Sequence, residues 1–176
     1  MAVFVCLLRA IGPVTHAKMS MAALRGECVI AGFQNVATVL NTGNVLLSAE
    51  RSATEVRSRV QDVVDSFDIN SEVFVRTSRQ LTDLVKANPF AEAAQDHPSA
   101  VGVCFFQRTP PWPDWLISYD GPEVLATIAS HLCIDYGTQI STSRLDVEKR
   151  LGVSMTMRNW NTVVTLAKRS SALARG

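Results

Sequence analysis

The side chains of this chain best suited to chemistry are cations and carboxamides, and they are unevenly placed. Residues 1–26 carry Arg9, Lys18 and Arg25 with no acid, and residues 144–176 carry seven Lys or Arg against Asp146 and Glu148. Residues 27–143 hold seven bases and fourteen acids, so the formal net charge of +1 conceals basic ends around an acidic centre. If the C-terminal segment folds back beside the end of the first strand, Arg9, Lys18, Lys149, Arg150 and Arg158 form one positive concavity. Such a concavity suits a phosphate or carboxylate, to which arginine offers a bidentate fork. Carboxamides adjoin these cations: Asn41 and Asn44 flank a Gly turn, and Asn159 and Asn161 surround Trp160 where a last helix should begin. A helix start supplies free N–H groups and the positive end of a dipole, which Arg158 would reinforce. The candidate ligand-binding set is therefore Arg9, Lys18, Asn41, Asn44, Arg158, Asn159, Trp160 and Asn161. Each carboxamide also has a purely structural reading, Asn44 as a residue tolerant of positive φ and Asn159 as a cap, while Trp160 can seal a core as readily as stack on a base.

Other chemistries find little footing. The chain has no Gly-rich dinucleotide fingerprint, no phosphate loop ending in Gly-Lys-Ser/Thr, and no Gly-x-Ser-x-Gly elbow. His16, His97 and His131 lie far apart, in predicted loops or at a hairpin tip, and are expected to face solvent. Cys6, Cys28, Cys104 and Cys133 lack chelate spacing and sit within or beside apolar runs, as buried free thiols of a reducing, cytoplasmic compartment do. No catalytic residue is singled out, and neither a metal nor a cofactor is expected.

The elements that must position the candidate residues follow from periodicity. Val3–Leu8 is a short apolar run of strand type, ending at Arg9 and followed by a loop through Gly12 and Pro13. Ser20 can cap a helix with Met21, Leu24, Cys28 and Val29 on one face, closed by Gly32. Val36–Leu40 and Val45–Ser48 should pair as a hairpin around Asn41-Thr42-Gly43-Asn44. Val56, Val60, Val63, Val64 and Phe67 share one helical stripe. Glu72–Arg76 is a further strand, and a helix capped by Ser78 runs until Pro89 stops it. The order β-α-β-β-α-β predicts an antiparallel sheet of ferredoxin-like type with helices on one face.

The remainder predicts a second, smaller α+β half. Val101–Phe106 is its first strand, and Thr109-Pro110-Pro111-Trp112-Pro113 is a stiff loop or a polyproline recognition segment. Val124–Ile128 and Leu132–Tyr136 form a hairpin around Ala129-Ser130-His131, Thr142 or Ser143 caps a helix to Leu151, and the last helix starts near Asn159. The expected division is a ferredoxin-like subdomain over 1–90 and a second α+β subdomain over 91–176, with no repeat of fixed period. At 176 residues, 47% apolar and 19% charged, the chain can bury its own core and leaves little room for disorder. The apolar start lacks a basic leader, and no apolar run approaches a bilayer span, so no membrane partner is expected.

Leu7-Leu8-Arg9 with Met21-Ala22-Ala23-Leu24-Arg25, the turn Leu40-Asn41-Thr42-Gly43-Asn44-Val45, and the run Glu148-Lys149-Arg150-Leu151-Gly152-Val153 through Arg158-Asn159-Trp160-Asn161-Thr162-Val163 resemble domain of unknown function family 1697, as does Asn88-Pro89-Phe90. The resemblance implies a small bacterial α+β protein with a ferredoxin-like half and no assigned activity. Where a Gly usually follows the family's first Arg, this chain reads Ala10-Ile11-Gly12-Pro13. The leading functional expectation is a cytoplasmic binding module for a small anionic ligand, a nucleotide or phosphorylated metabolite, held between the halves. The alternatives are an enzyme using Arg9 and Arg158 against developing charge, a nucleic-acid binder, and an interaction protein that dimerises through a sheet edge rather than remaining a monomer. Nucleic acid fits least, because the first-half strands are apolar rather than basic and aromatic.

Overall fold

A computed structural model describes residues 1–138 and 141–176. The chain divides into two units, Met1–Thr82 with Leu166–Gly176, and Asp83–Thr165. Each carries a four-stranded antiparallel sheet, and the architecture is α+β as the sequence predicts.

The first unit runs β1 (Ala2–Leu8), α1 (Pro13–Lys18), α2 (Met21–Ile30), β2 (Gln34–Thr38), β3 (Asn44–Ala49), α3 (Ala53–Asp65), β4 (Val73–Thr77), then α4 (Ser78–Ala87), which continues past the unit's boundary. Its strand order is β2-β3-β1-β4 with every pairing antiparallel, so the hairpin strand β3 lies between β1 and β2, as in a split βαβ arrangement. Phe4, Cys6 and Leu8 alternate along β1 into the same core as Leu24 and Cys28 of α2 and the valines of α3. Val3, Val5 and Leu7 face the other way and are buried too, which explains why β1 reads as an unbroken apolar run.

Local signals set most helix ends. Ser20 Oγ accepts from Ala23 N at the start of α2, and Ser52 and Glu55 form a reciprocal capping box at α3. Two local expectations are corrected. Residues Pro13–Lys18 are a short helix rather than a loop, started by Pro13 and by Thr15 Oγ1, which accepts from Gly12 N at 2.7 Å. The cap of α4 is Thr77 rather than Ser78: Thr77 Oγ1 accepts from Gln80 N, while the Gln80 side chain accepts from Thr77 N.

The second unit follows with α5 (Ala91–Asp96), a single 3₁₀ turn at Pro98–Ala100, β5 (Val101–Phe106), another at Asp114–Leu116, β6 (Val124–Ile128), β7 (His131–Asp135), α6 (Val147–Leu151), β8 (Met155–Asn159) and α7 (Trp160–Arg175). Helix α7 begins in this unit and ends in the first. The strand order β6-β7-β5-β8 repeats that of the first sheet, strand for strand. The repeat is one of topology without a fixed period, because the first crossover helix is replaced by the proline segment. Trp112 packs edge-on against Phe106, with ring centroids 5.9 Å apart, and joins Leu116 and the α6 residues over one face of the sheet. The prolines therefore stiffen a loop that closes a core.

Three further differences come from weak local patterns. Strand β8, which pairs with β5, differs from the loop that the sequence predicts: Met155-Thr156-Met157-Arg158 alternates over only four residues, and the buried positions are the polar Thr156 and Arg158 while Met157 is exposed. Helix α6 starts at Val147, capped by Asp146, whose side chain accepts from Lys149 N, instead of at Thr142 or Ser143. His131 is a buried strand residue rather than a hairpin tip, its ring edge-on to Phe105 at 5.1 Å, and His16 and His97 are half-buried.

Candidate functional site

Four of the expected ligand residues belong to the first unit. Arg9 leaves β1 and pairs with Glu72 at 3.0 Å, and Lys18 at the end of α1 pairs with Asp68 at 3.2 Å. Both partners lie between α3 and β4. The same segment touches the β2–β3 turn, where His16 Nε2 donates to the Asn41 carbonyl at 2.8 Å and Leu8 N donates to Gly43 O. Asn44 is fully buried, its Nδ2 donating to Val39 O and Thr42 Oγ1, both at 2.9 Å, so its carboxamide clamps the turn. The strand exit and the turn thus lie together, with acids set against both cations.

The other four belong to the second unit. Arg158 on β8 is 9% exposed, and its Nη1 donates to Thr156 Oγ1 at 2.8 Å and to Met157 O at 2.9 Å. Burial holds its pKa down at about 10. Asn159 Oδ1 accepts from Thr162 N and so caps α7, Trp160 is buried, and the Asn161 carbonyl accepts from Thr165 Oγ1. Arg76 holds the matching position on β4: buried, with Nη1 2.9 Å from Val75 O, a pKa lowered to about 10 by burial, and a capping residue and helix directly after it. Each sheet therefore ends its last strand in a buried guanidinium followed by a capped helix.

A different constellation occupies a hollow of about 200 Å³ in the second unit, lined by Tyr119, Glu123, Thr142, Ser143, Arg144 and Arg150. Glu123 is only 4% exposed, and its two carboxylate oxygens accept from Tyr119 OH and Ser143 Oγ. Burial pushes its pKa up, but the hydroxyl donors and the nearby Arg150 outweigh that and hold it below the usual carboxylate range. Burial and the bond to Glu123 push Tyr119 up to about 12. The Arg150 guanidinium lies 5.1 Å from the centre of the Trp115 ring and 5.6 Å from that of Tyr119, a cation–π contact with both. Tyr119 reaches Glu123 because residue 121 is glycine: a Cβ there would lie 2.1 Å from the Tyr119 hydroxyl. Among the described residues no ion pair uses Arg144 or Arg150, and no group of three or more His, Cys, Asp or Glu is placed to hold a metal ion.

A family model described as "Protein of unknown function (DUF1697)" matches residues 1–121, more than half of the chain. The chain belongs to the DUF1697 family. The Arg158-Asn159-Trp160 run, which carried much of the resemblance, lies beyond the matched region. Among solved structures the chain is similar to the conserved bacterial protein SP0830 from Streptococcus pneumoniae, with a TM-score of 0.76 and 15% identity over 97% of this chain and 99% of that one. At that identity the likeness concerns the fold. No curated protein matches the chain. Within this DUF1697 protein, only Arg150 of the hollow stood among the basic residues singled out by charge distribution. Ser143 reaches Glu123 from the far side of the β6–β7 hairpin, twenty residues along the chain, and the one local hint is an aromatic-rich stretch ending in Gly121-Pro122.

Proposed function

We propose that this protein is a binding module for a small anionic ligand, seated at the hollow of the second unit. The observation that carries the reading is the pair Arg144 and Arg150, outside the ion pairs of the described residues, with one guanidinium held against two aromatic rings beside the hydroxyls of Thr142 and Ser143. A preorganised guanidinium loses little freedom when it grips a carboxylate or phosphate. About 200 Å³ is below the roughly 300–1,000 Å³ of pockets that enclose drug-sized molecules. That favours a compact metabolite over a nucleotide. The test is thermal unfolding with a panel of small phosphates, carboxylates and amino acids. A ligand at 100 times its Kd adds about 2.7 kcal/mol, or roughly 5–10 °C in a chain of this length. Arg150→Ala should abolish the rise, and a flat panel would remove the reading.

A second reading keeps the anion on the first unit at Arg9, Lys18, Asn41 and Asn44. It is supported by the way the segment after β1 gathers two half-exposed cations beside the β2–β3 turn. The acids opposite them weigh against it. In that case Arg9→Ala removes the ligand-induced rise and Arg150→Ala leaves it intact. A related proposal uses Arg158, Asn159, Trp160 and Asn161 at the start of α7, and Arg158→Lys tests it in the same assay.

A further inference from the structure

The hollow holds more than cations. Its floor is the Glu123 carboxylate, and Asp120 is near enough to act on Tyr119 as a further negative charge. Its rim is Arg144 and Arg150. Each Glu123 oxygen accepts one hydroxyl and the carboxylate also accepts from its own backbone N–H, which leaves one of about four acceptor sites for a further donor. A simple anion drawn by the arginines would be repelled by the Glu123 negative charge that lines the same hollow. A buried carboxylate also gains from every donor that approaches it.

We infer that the hollow selects a small zwitterion, a molecule with one ammonium and one carboxylate or phosphate group, with the anion between Arg144 and Arg150 and the ammonium at Glu123. The inference rests on the anion-binding reading above and names its ligand class. Tyr119 and Ser143 each donate to one oxygen of that carboxylate, which keeps its charge in the absence of either donor. The hollow's volume admits molecules the size of a small amino acid or an aminoalkyl phosphate.

Two matched pairs test this by calorimetry on the whole chain: β-alanine against propionate, and 2-aminoethyl phosphate against ethyl phosphate. A charge-assisted contact to the ammonium should make each zwitterion about ten- to hundredfold tighter than its partner. The pairs also decide whether carboxylate or phosphate is the preferred anion. Glu123→Gln should bring the ratio within each pair to near one while the simple anions still bind. Tyr119→Phe, which removes a donor but keeps the carboxylate, should retain the preference and serves if Glu123→Gln does not fold. Equal binding within both pairs, unaltered by Glu123→Gln, or a preference lost in Tyr119→Phe, would overturn the inference and leave the anion site standing. Absence of binding by all four compounds, with inorganic phosphate also inert, would remove the anion site itself.

Discussion

At the residue scale, single side chains here answer to their immediate neighbours. Gly43 is the clearest case. It sits at φ +75°, its carbonyl accepts from Leu8 N, and a Cβ would lie 2.5 Å from Ile11 Cγ1 and 2.9 Å from Leu8 Cβ. Gly43→Ala should therefore cost roughly 2–4 kcal/mol, through backbone strain and a clash that the packed Leu8 cannot relieve. Urea denaturation would show the midpoint falling with the slope unchanged; an unaltered midpoint would mean that the turn relaxes. The sequence gives the turn its Gly and two Asn residues. It does not distinguish a turn that binds something from one held together by its own carboxamide, because Asn44 looks the same in both until Val39 O and Thr42 Oγ1 are seen beside it.

Among elements, the well-read ones carry their own signals. Helix α3 has the valine stripe that its sequence predicts, and the structure adds a Ser52–Glu55 capping box, so Ser52→Ala should cost about 1 kcal/mol by leaving Glu55 N without its acceptor. The check is a matched pair of unfolding curves in which Ser52→Thr restores most of the loss. Strand β8 is the opposite case. Its short alternation is inverted, with polar Thr156 and Arg158 inward, and it is a strand because β5 offers a row of hydrogen-bond partners from Gly102 to Phe106. Weak local pattern likewise hid α5 and shifted the start of α6. It also hid the likeness of the two sheets, since Arg76 and Arg158 occupy the same place only once strand orders are compared.

On the scale of the whole molecule, burial determines the behaviour of groups that would otherwise titrate. Cys28 is pushed up to about 11 and Cys133 to about 12 by burial, and Cys6 and Cys104 shift further in the same direction. A raised thiol pKa means that the folded state favours the protonated form, so this stability is fully present below the unfolded thiol pKa of about 8.5. It is lost as pH rises through the folded values. The native protein should leave all four thiols unreactive toward an aromatic disulfide at pH 8, with reaction following global unfolding. Rapid labelling of any one of them would contradict this. By itself the sequence determined the mixed α+β class, the apolar central strands, the hairpin, the main helices and the uneven charge, because these rest on local propensity, periodicity and composition. Only the tertiary structure decided that Arg9 and Lys18 face acids, that a segment with its polar residues inward completes the second sheet, and that Glu123, Tyr119, Ser143 and Arg150 converge on one hollow. Hydrogen bonds and charges between residues remote along the chain leave no period in it to read.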